Sequence, residues 1–462
     1  MKRLFYPESV VVIGVSSAPD NLAKNIVQNL VKFGFKGPIY AVGASEGELD
    51  GRKIYKSVLD LPTQVEFASF LIPAHLIPNI LDECGQKGVR RFVVSSSGFT
   101  ELYPDRRELE QQLLDVVRRY NMRFVGPNCI GITNLDNGLV VPFAPLSPKM
   151  LVKGHNSVIA QSGGVATRCA SLFSDEGVGI SKVISVGNKL NTDESDLLDF
   201  LIDDPSTHAI FMYLEDVRRG RRFIDVARRS SKPIVVMKAN TSNATAEIAM
   251  SHTTALAGDD RVVDAAFNQA GILRVKKLEG FTSIAKAFAL PPCKGDNIVV
   301  LSPSGGFAVI SADVCTWQGF RLPKLPPDLL KAMEARQRAH VIHLTNPMDF
   351  GDTYDRAVTL SAVEEVLKLP DIAAMAVTVQ GGGSGSMGFS GPDMKELVYG
   401  VKELCVKSGK PVAAAVFARQ GDLGRLMQDV DFPIFGGIEE AIEALAIQRR
   451  FWKFREGLNT GV

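Results

Sequence analysis

The sequence predicts an α/β protein built from parallel sheets, and three similar openings along the chain predict it. Short apolar, β-branched runs that end in small residues begin at Val10, Ser157 and Ile298, and a helical pattern follows each of them. A strand, a small-residue turn and a helix in this order are typical of the start of a parallel α/β sheet. Because 462 residues are too many for one ordinary domain, we expect several such sheets.

The first unit alternates buried strands with helical patterns. The expected strands are Val10 to Ile13, Ile39 to Val42, Phe67 to Ile72 and Phe92 to Ser95. Helical periodicity lies between them, for example from Leu76 to Gly85 and from Arg106 to Tyr120. The unit therefore has the strand–helix alternation of a Rossmann-like sheet.

The second and third units resemble each other. Both open with Ser-Gly-Gly, and both reach a Lys-Pro step before a later strand, at Lys232 and at Lys410. The expected strands are Lys182 to Val186, Ala209 to Leu214 and Ile234 to Lys238, then Ala373 to Val379 and Val412 to Val416. We interpret the pair as a duplicated flavodoxin-like domain, and we place the three domains at residues 1–142, 143–290 and 291–462.

Composition excludes several classes of protein. The formal net charge is +1, whereas a nucleic-acid binder needs a basic excess. The six cysteines are scattered without a Cys-x-x-Cys pair, which favours reduced thiols over a zinc site or disulfides. No apolar run approaches the length of a membrane span, and from the first residues we expect no signal peptide. We expect a cytoplasmic protein that binds neither nucleic acid nor membrane and has no metal site of its own.

The turns after the first unit's strands predict a nucleotide-shaped ligand. Gly14 and Ser16 lie where a Rossmann sheet holds a phosphate on a helix N-terminus, but Gly-x-Gly-x-x-Gly is absent. Small residues also follow two further strands, at Leu71 to Ala74 and Ser95 to Gly98. Glu46, just beyond the second strand, keeps an NAD-linked oxidoreductase open as an alternative.

Ser162, Gly163 and Gly164 follow a strand and precede the helical run from Val165 to Phe173. Free amides at a helix start, with a hydroxyl and no Cβ on the glycines, can hold a dianion. The same tripeptide also serves as an ordinary helix cap. The pattern alone therefore predicts a candidate phosphate site.

His252 is the candidate nucleophile. It is one of six histidines and is flanked by Ser251 and Thr253, after a polar segment from Asn240 to Ala246. Imidazole is a competent nucleophile at neutral pH, although a lone histidine is more often structural.

A nucleophilic histidine needs one ring nitrogen free and the other held by an acceptor, which fixes the tautomer. Glu215, at the end of the Ala209 to Leu214 strand, is the best-placed acceptor. Asp216 beside it is the alternative, and either carboxylate could instead cap a following helix.

At this point the residues match a known family. The chain resembles the α subunit of ADP-forming (NDP-forming) acyl-CoA synthetases, acetyl-CoA synthetase among them, and is more distantly similar to succinyl-CoA synthetase α chains. The resemblance extends over essentially the whole chain. Its motifs are Ser251-His252-Thr253 with Ala255-Leu256-Ala257-Gly258, Gly187-Asn188-Lys189 followed by Asp193-Glu194-Ser195-Asp196, Tyr213-Leu214-Glu215, Gly126-Pro127-Asn128-Cys129 and Asn346-Pro347-Met348-Asp349.

The resemblance implies an acid–thiol ligase that carries a phosphate on His252, with Glu215 as the orienting carboxylate. It implies a CoA-binding Rossmann domain before two ligase domains, and phosphate bound at Ser162, Gly163 and Gly164. The CoA site would be lined by residues at the ends of the first sheet's strands: Gly14, Ser16, Ser17, Ala18, Pro19, Ile72, Pro73, Ala74, Ser96, Ser97, Gly98 and Asn128. Acetate or another small carboxylic acid, CoA and ATP would be interconverted with acyl-CoA, ADP and phosphate.

The family's nucleotide site lies in an ATP-grasp domain, which the sequence does not contain. The resemblance therefore implies a separate β subunit that binds ADP or ATP with Mg²⁺, in an α₂β₂ assembly. Two departures from the family pattern are Thr254 and Asn240, where glycines are usual, and a third is the missing lysine after the second strand. They motivate an alternative from another class, a non-catalytic CoA-binding or CoA-sensing paralogue.

Overall fold

The computed structural model describes residues 1–242, 245, 259–337, 342–351, 355–380, 391–418 and 420–460. The chain forms two compact units, residues 1–174 with 179–278 and residues 175–178 with 279–462. The first unit holds two sheets and the second holds one.

The first sheet has the strand order β3-β4-β2-β1-β5-β6-β7, parallel except for the antiparallel β3–β4 pair. Without the β3 hairpin strand, this is the doubly wound Rossmann order. Its strands are Val10–Ile13 (β1), Ile39–Val42 (β2), Gly47–Leu49 (β3), Arg52–Tyr55 (β4), Phe67–Phe70 (β5), Arg91–Val94 (β6) and Arg123–Val125 (β7). Its helices are Lys2–Phe5 (α1), Leu22–Lys32 (α2), Ile77–Gln86 (α3) and Arg107–Arg119 (α4).

The second sheet has the order β14-β13-β12-β10-β11-β8-β9. Its five later strands are parallel in the flavodoxin order, and the β8–β9 hairpin is added antiparallel to β11. The strands are Ile132–Asn134 (β8), Leu139–Val140 (β9), Lys153–Ala160 (β10), Ile180–Ser185 (β11), Ala209–Leu214 (β12), Ile234–Lys238 (β13) and Leu273–Arg274 (β14). The helices are Gly163–Asp175 (α5), Glu194–Leu201 (α6), Gly220–Arg229 (α7) and Asp260–Gln269 (α8).

The third sheet repeats the flavodoxin order as β16-β15-β17-β18-β19, all parallel. Its strands are Ile298–Ser302 (β15), Met348–Asp349 (β16), Ala374–Gln380 (β17), Val412–Phe417 (β18) and Ile434–Phe435 (β19). Its helices are Glu279–Phe288 (α9), Gly305–Trp317 (α10), Pro327–Glu334 (α11), Arg356–Lys368 (α12), Gly391–Ser408 (α13), Gln420–Asp429 (α14) and Ile438–Thr460 (α15).

Central strands form the core of each sheet because their side chains are buried on both faces. Every residue of β1 and β15 is buried, and so is every residue of β5. Continuous apolar, β-branched runs of this kind are expected where helices cover both sides of a parallel sheet. The predicted fold class is confirmed. The expected strands lie within two residues of the observed ones, except that β10 begins at Lys153, four residues before the run expected from Ser157.

The β8–β9 hairpin lies before residue 142, where we expected the first domain to end, yet it pairs in the second sheet. The chain therefore crosses between the two sheets at residues 126–131. The division into three domains stays a prediction. All six cysteines are buried free thiols, and no helix among the described residues is long and apolar enough to cross a bilayer.

Candidate active site

The predicted phosphate cradle, Ser162-Gly163-Gly164, lies at the start of helix α5, directly after β10. Ser162 Oγ accepts a hydrogen bond from Val165 N at 3.4 Å. A Cβ on Gly163 would lie 2.6 Å from Ile130 Cγ1, so a larger residue does not fit there. A Cβ on Gly164 would meet Ser162 Oγ at 3.9 Å and nothing closer. An anion can therefore approach the helix N-terminus at Gly164, where main-chain amides favour negative charge.

Glu215 lies beside this cradle because β10 and β12 are neighbours in the sheet. Ala160 pairs with Tyr213 in the parallel register. Ser162 and Glu215 each follow their paired residue by two positions. This is the point where the strand order reverses, and ligands of doubly wound sheets bind at such a point.

The structure distinguishes Glu215 from Asp216. The Asp216 carboxylate accepts a hydrogen bond from Gln161 Nε2 at 2.8 Å and forms an ion pair with Lys189. Burial alone would raise the pKa of Asp216, but Lys189 and Gln161 outweigh it and lower that pKa. The Glu215 carboxylate forms no ion pair with any described residue. It lies near the Tyr213 phenol, and burial together with this carboxylate raises the pKa of Tyr213 to about 12.

Lys189 is a buried cation below this corner. It is 3% exposed, and its Nζ lies 3.0 Å from Glu194 Oε2 and 3.1 Å from the Asp216 carbonyl oxygen. Glu194 is fully buried, and burial raises its pKa despite the attraction of Lys189. The Lys189 ammonium group therefore pairs with two carboxylates, those of Asp216 and of the fully buried Glu194.

The segment that leads to His252 leaves the sheet next to Glu215. Strand β13 pairs with β12, and Lys238 Nζ donates to the Glu215 carbonyl oxygen at 2.7 Å. Asn240 follows with a φ of 57°, a left-handed conformation that glycine adopts most easily. His252 and Thr254 lie outside the described residues, so the pairing of His252 with Glu215 stays a prediction.

The residues expected to line a CoA site lie at the carboxyl ends of β1, β5 and β6. Gly14 has a φ of 103°, and a Cβ there would lie 2.2 Å from the Leu71 carbonyl oxygen. The Ile72 amide donates to Ser96 Oγ at 3.0 Å, which ties two of these turns together. The structure thus brings the predicted residues to one edge, listed in full as Gly14, Ser16, Ser17, Ala18, Pro19, Ile72, Pro73, Ala74, Ser96, Ser97 and Gly98.

Asn128 joins this edge to the second sheet. Its amide N donates to the Ser96 carbonyl oxygen at 2.9 Å, and its side chain donates to Asn188 Oδ1 at 3.3 Å. Asn188 Nδ2 in turn donates to Glu101 Oε2 at 2.8 Å, and Glu101 accepts from the Gly98 amide at 2.7 Å. The loop that carries Asn188 and Lys189 therefore touches both the first sheet's edge and the Glu215 corner.

The turn after β2 holds no lysine and is exposed from Ala44 to Glu46. A Cβ on Gly43 would lie 2.0 Å from the Val15 carbonyl oxygen, so this turn packs directly against the β1 turn. No group of histidine, cysteine or acidic side chains able to hold a metal occurs in the described part of the chain.

Sequence reasoning did not single out Gln161, Lys189 or Lys238 as site residues. Lys189 lies in the motif Gly187-Asn188-Lys189, a tight turn in which Gly187 and Lys189 adopt left-handed φ values of 58° and 54°. Gln161 and Lys238 each lie at the end of a buried strand. A single polar residue after an apolar run is the only sequence feature that could have indicated their roles.

Comparisons with known proteins agree with this geometry. A family model for the succinyl-CoA ligase-like flavodoxin domain matches residues 153–288, and one for a CoA-binding domain matches residues 8–134. The α subunit of acetate–CoA ligase (ADP-forming) I from Pyrococcus furiosus is 38% identical over 386 residues, 82% of either chain. Acetate–CoA ligase (ADP-forming) II from Archaeoglobus fulgidus is 35% identical over 353 residues, and the match spans 76% of this chain but 52% of that relative.

A solved structure resembles the whole chain. It is dinucleotide-forming acetyl-coenzyme A synthetase 1 from Candidatus Korarchaeum cryptofilum, in complex with phosphate and ADP. The match has a TM-score of 0.89 and 31% identity, and it covers 100% of this chain and 98% of the other. The expected resemblance is therefore confirmed over both units.

Proposed function

Because this chain belongs to the family of ADP-forming acetate–CoA ligases, we propose that it is the α subunit of an ADP-forming acyl-CoA synthetase. It interconverts a small carboxylate, CoA and ATP with acyl-CoA, ADP and phosphate, and His252 carries the phosphoryl group between sites. One observation supports this most strongly. The phosphate cradle at Gly164 and Glu215 follow the neighbouring strands β10 and β12, and the next strand, β13, precedes the segment that carries His252.

In the direction of ATP formation, a phosphate oxygen attacks the thioester carbonyl carbon of acyl-CoA. The carbon–sulfur bond breaks, CoA leaves as the thiolate and an acyl phosphate forms. The helix amides at Ser162, Gly163 and Gly164 hold the phosphate, because partial positive charge collects at a helix N-terminus. Preorganised amides of this kind cost no reorganisation as negative charge develops.

In the next step a ring nitrogen of His252 attacks the phosphorus, and the bond to the acyl oxygen breaks to release the carboxylate. Glu215 accepts the hydrogen bond of the other ring nitrogen and stabilises the imidazolium that forms, as an orienting carboxylate does in other histidine-dependent enzymes. The terminal oxygen of ADP then takes the phosphoryl group as the nitrogen–phosphorus bond breaks. Every step is reversible.

The name of one relative supports a separate partner subunit. The Pyrococcus relative is called an α subunit, so a separate second subunit completes that enzyme. We assign to this chain an ATP-grasp β subunit that binds ADP or ATP with Mg²⁺, in an α₂β₂ complex. The acyl chain is that of acetate or another small carboxylic acid. The alternative of a non-catalytic CoA-sensing protein gains no support from the comparisons.

Reconstitution tests this function. The purified chain, mixed with an ATP-grasp β subunit of this family, should form ATP from ADP when acetyl-CoA, phosphate and Mg²⁺ are present. Omission of phosphate or of this chain should abolish ATP formation. A complex that binds CoA but forms no ATP with any of a panel of small acyl-CoA esters would instead favour the non-catalytic alternative.

A further inference from the structure

Gln161 precedes the phosphate cradle directly, but its side chain turns back into the protein. It is 4% exposed. Its main-chain amide donates to the Tyr213 carbonyl oxygen at 3.0 Å, just beyond the last paired residues of β10 and β12. The residue therefore lies between the two neighbouring strand ends that carry the cradle and Glu215.

The Gln161 side chain fixes the corner that follows β12. Its Oε1 accepts hydrogen bonds from the main-chain amides of Glu215 at 2.9 Å and Asp216 at 3.2 Å. Its Nε2 donates to Asp216 Oδ1 at 2.8 Å. Main-chain amides beyond the end of a strand have no ladder partner, so a half-buried corner of this kind depends on a side-chain acceptor.

Lys189 supports the same corner from below. Its Nζ lies 3.3 Å from Gln161 Oε1 and 3.1 Å from the Asp216 carbonyl oxygen, and it pairs with the Asp216 carboxylate. Lys189 pairs with Asp216, and Gln161 carries no charge. The Glu215 carboxylate therefore forms no ion pair with Gln161, Lys189 or Asp216, and its charge can act on another group.

We infer that Gln161 is a positioning residue, which holds the Glu215 carboxylate at a fixed place relative to the phosphate cradle. The inference rests on the proposed function, because only that function requires the phosphate cradle and Glu215 to act on the same histidine. Phosphoryl transfer to His252 requires the ring, steadied by Glu215, to meet a phosphorus atom held at Gly164. A misplacement of about 1 Å between such groups costs roughly 100-fold in rate.

Gln161→Leu is the first test, because leucine has a similar volume and makes no hydrogen bond. In the complex with the β subunit and ATP, we expect His252 to be phosphorylated about 10- to 100-fold more slowly. The dissociation constant for CoA should stay within about twofold, since the expected CoA residues lie on the first sheet. Hydrogen exchange at the Glu215 and Asp216 amides should become faster, because their acceptor is gone.

Gln161→Glu gives a readout that a general loss of stability would not produce. A protonated glutamate offers the same acceptor and donor as glutamine. An ionised one would face the Asp216 carboxylate and would be the third carboxylate, after Asp216 and Glu194, around the single ammonium group of Lys189, whose Nζ lies 3.3 Å from Gln161 Oε1. The phosphorylation rate of this variant, divided by that of the wild type, should therefore rise several-fold from pH 8 to pH 6.

Gln448→Leu is the matched control. Gln448 is 1% exposed, accepts from the Cys293 amide at 2.9 Å and donates to the Ala287 carbonyl oxygen at 2.7 Å. It lies in the second unit, whereas the cradle lies in the first. Its loss should lower the melting temperature but leave the phosphorylation rate of folded protein within about twofold.

The inference is overturned if Gln161→Leu phosphorylates at the wild-type rate, or if Gln448→Leu slows phosphorylation equally. It is also overturned if the pH ratio of Gln161→Glu is flat. A wild-type complex that never phosphorylates His252 would refute the proposed function instead. In that case, unchanged hydrogen exchange at Glu215 and Asp216 in Gln161→Leu would independently refute the positioning role.

Discussion

Lys189→Met removes the cation that Glu194 and Asp216 share, and its effect on stability can be worked out from the structure. Glu194 is fully buried, and Lys189 Nζ lies 3.0 Å from its Oε2. Burial already raises the pKa of Glu194 while Lys189 opposes that rise. Without Lys189 that opposition is lost, although the Arg218 amide still donates to Glu194 Oε1 at 3.1 Å, so we expect the pKa of Glu194 to rise further in the folded variant.

The cost follows from the proton that the folded variant must bind. An unfolded glutamate has a pKa of 4.5. Each unit by which the folded-state pKa rises further costs about 1.36 kcal/mol at a pH above it. Breaking a buried ion pair by removing one partner costs about 3–5 kcal/mol, which is the loss that we expect at pH 7. Asp216, whose side chain is 22% exposed, keeps part of its hydration and contributes less.

The sign of the pH dependence is fixed by the raised pKa of Glu194. The folded variant binds more protons than the unfolded chain between pH 4.5 and the folded pKa, so its stability falls as pH rises through that window. The pKa of Glu194 is already raised in the wild type, and we expect it to rise further in the variant, so the loss relative to the wild type should be larger at pH 7 than at pH 5.

Urea unfolding followed by two probes measures this loss. The chain has two tryptophans, Trp317 and Trp452, and both lie in the second unit. We expect the tryptophan-detected transition to be unchanged and the far-ultraviolet circular dichroism to show an earlier transition of the first unit. Equal losses at pH 5 and pH 7, or a first unit as stable as the wild type at pH 7, would refute the reasoning.

Lys182→Met is the matched control, because Lys182 lies near the start of β11, the strand that precedes the loop carrying Lys189. It is fully buried and lies 2.9 Å from Asp136 Oδ2 and 2.7 Å from Asp204 Oδ2. Its removal should also destabilise the first unit by about 3–5 kcal/mol. Phosphorylation of the remaining folded protein should nevertheless proceed normally, unlike that of Lys189→Met.

Three further predictions concern the site itself. Glu215→Gln should slow phosphorylation of His252 about 100-fold in a labelling assay without changing the melting temperature by more than a few degrees, whereas Asp216→Asn should mainly lower that temperature. Gly163→Ala should destabilise the first unit by about 1–3 kcal/mol in urea titrations, since its Cβ would lie 2.6 Å from a neighbouring isoleucine, while Gly164→Ala should fold normally and raise the KM for phosphate. Gly14→Ala should weaken CoA binding in calorimetry by at least about tenfold, because its Cβ would lie 2.2 Å from the Leu71 carbonyl oxygen at the same edge. Wild-type behaviour in any of these assays would contradict the corresponding assignment.

Long buried strands were predictable because they carry a continuous apolar signal. Ala209–Leu214 and Ile234–Lys238 were predicted residue for residue, and these two strands place Glu215 beside the start of the His252 segment. Pairs such as Leu139–Val140 and Met348–Asp349 were missed, because two residues show no periodicity.

The candidate site was predictable in part for a related reason. Ser162 and Glu215 follow predicted strands, and parallel strands bring their carboxyl ends to one edge of a sheet. The roles of Gln161 and Lys189 depend on side-chain directions inside a corner, which no sequence spacing specifies. The choice between Glu215 and Asp216 likewise needed the position of the Lys189 ammonium group.

The most direct test of the account is the location of the phosphoryl group. The complex should be incubated with ATP labelled on its γ-phosphate, and separately with acyl-CoA and labelled phosphate. We predict an acid-labile, base-stable label that is lost in His252→Ala and retained in His155→Ala. His155 is a suitable control because its exposed ring stacks on the ring of His208, with 4.1 Å between the ring centroids. Equal labelling of both variants, or a label on another residue, would contradict the central claim.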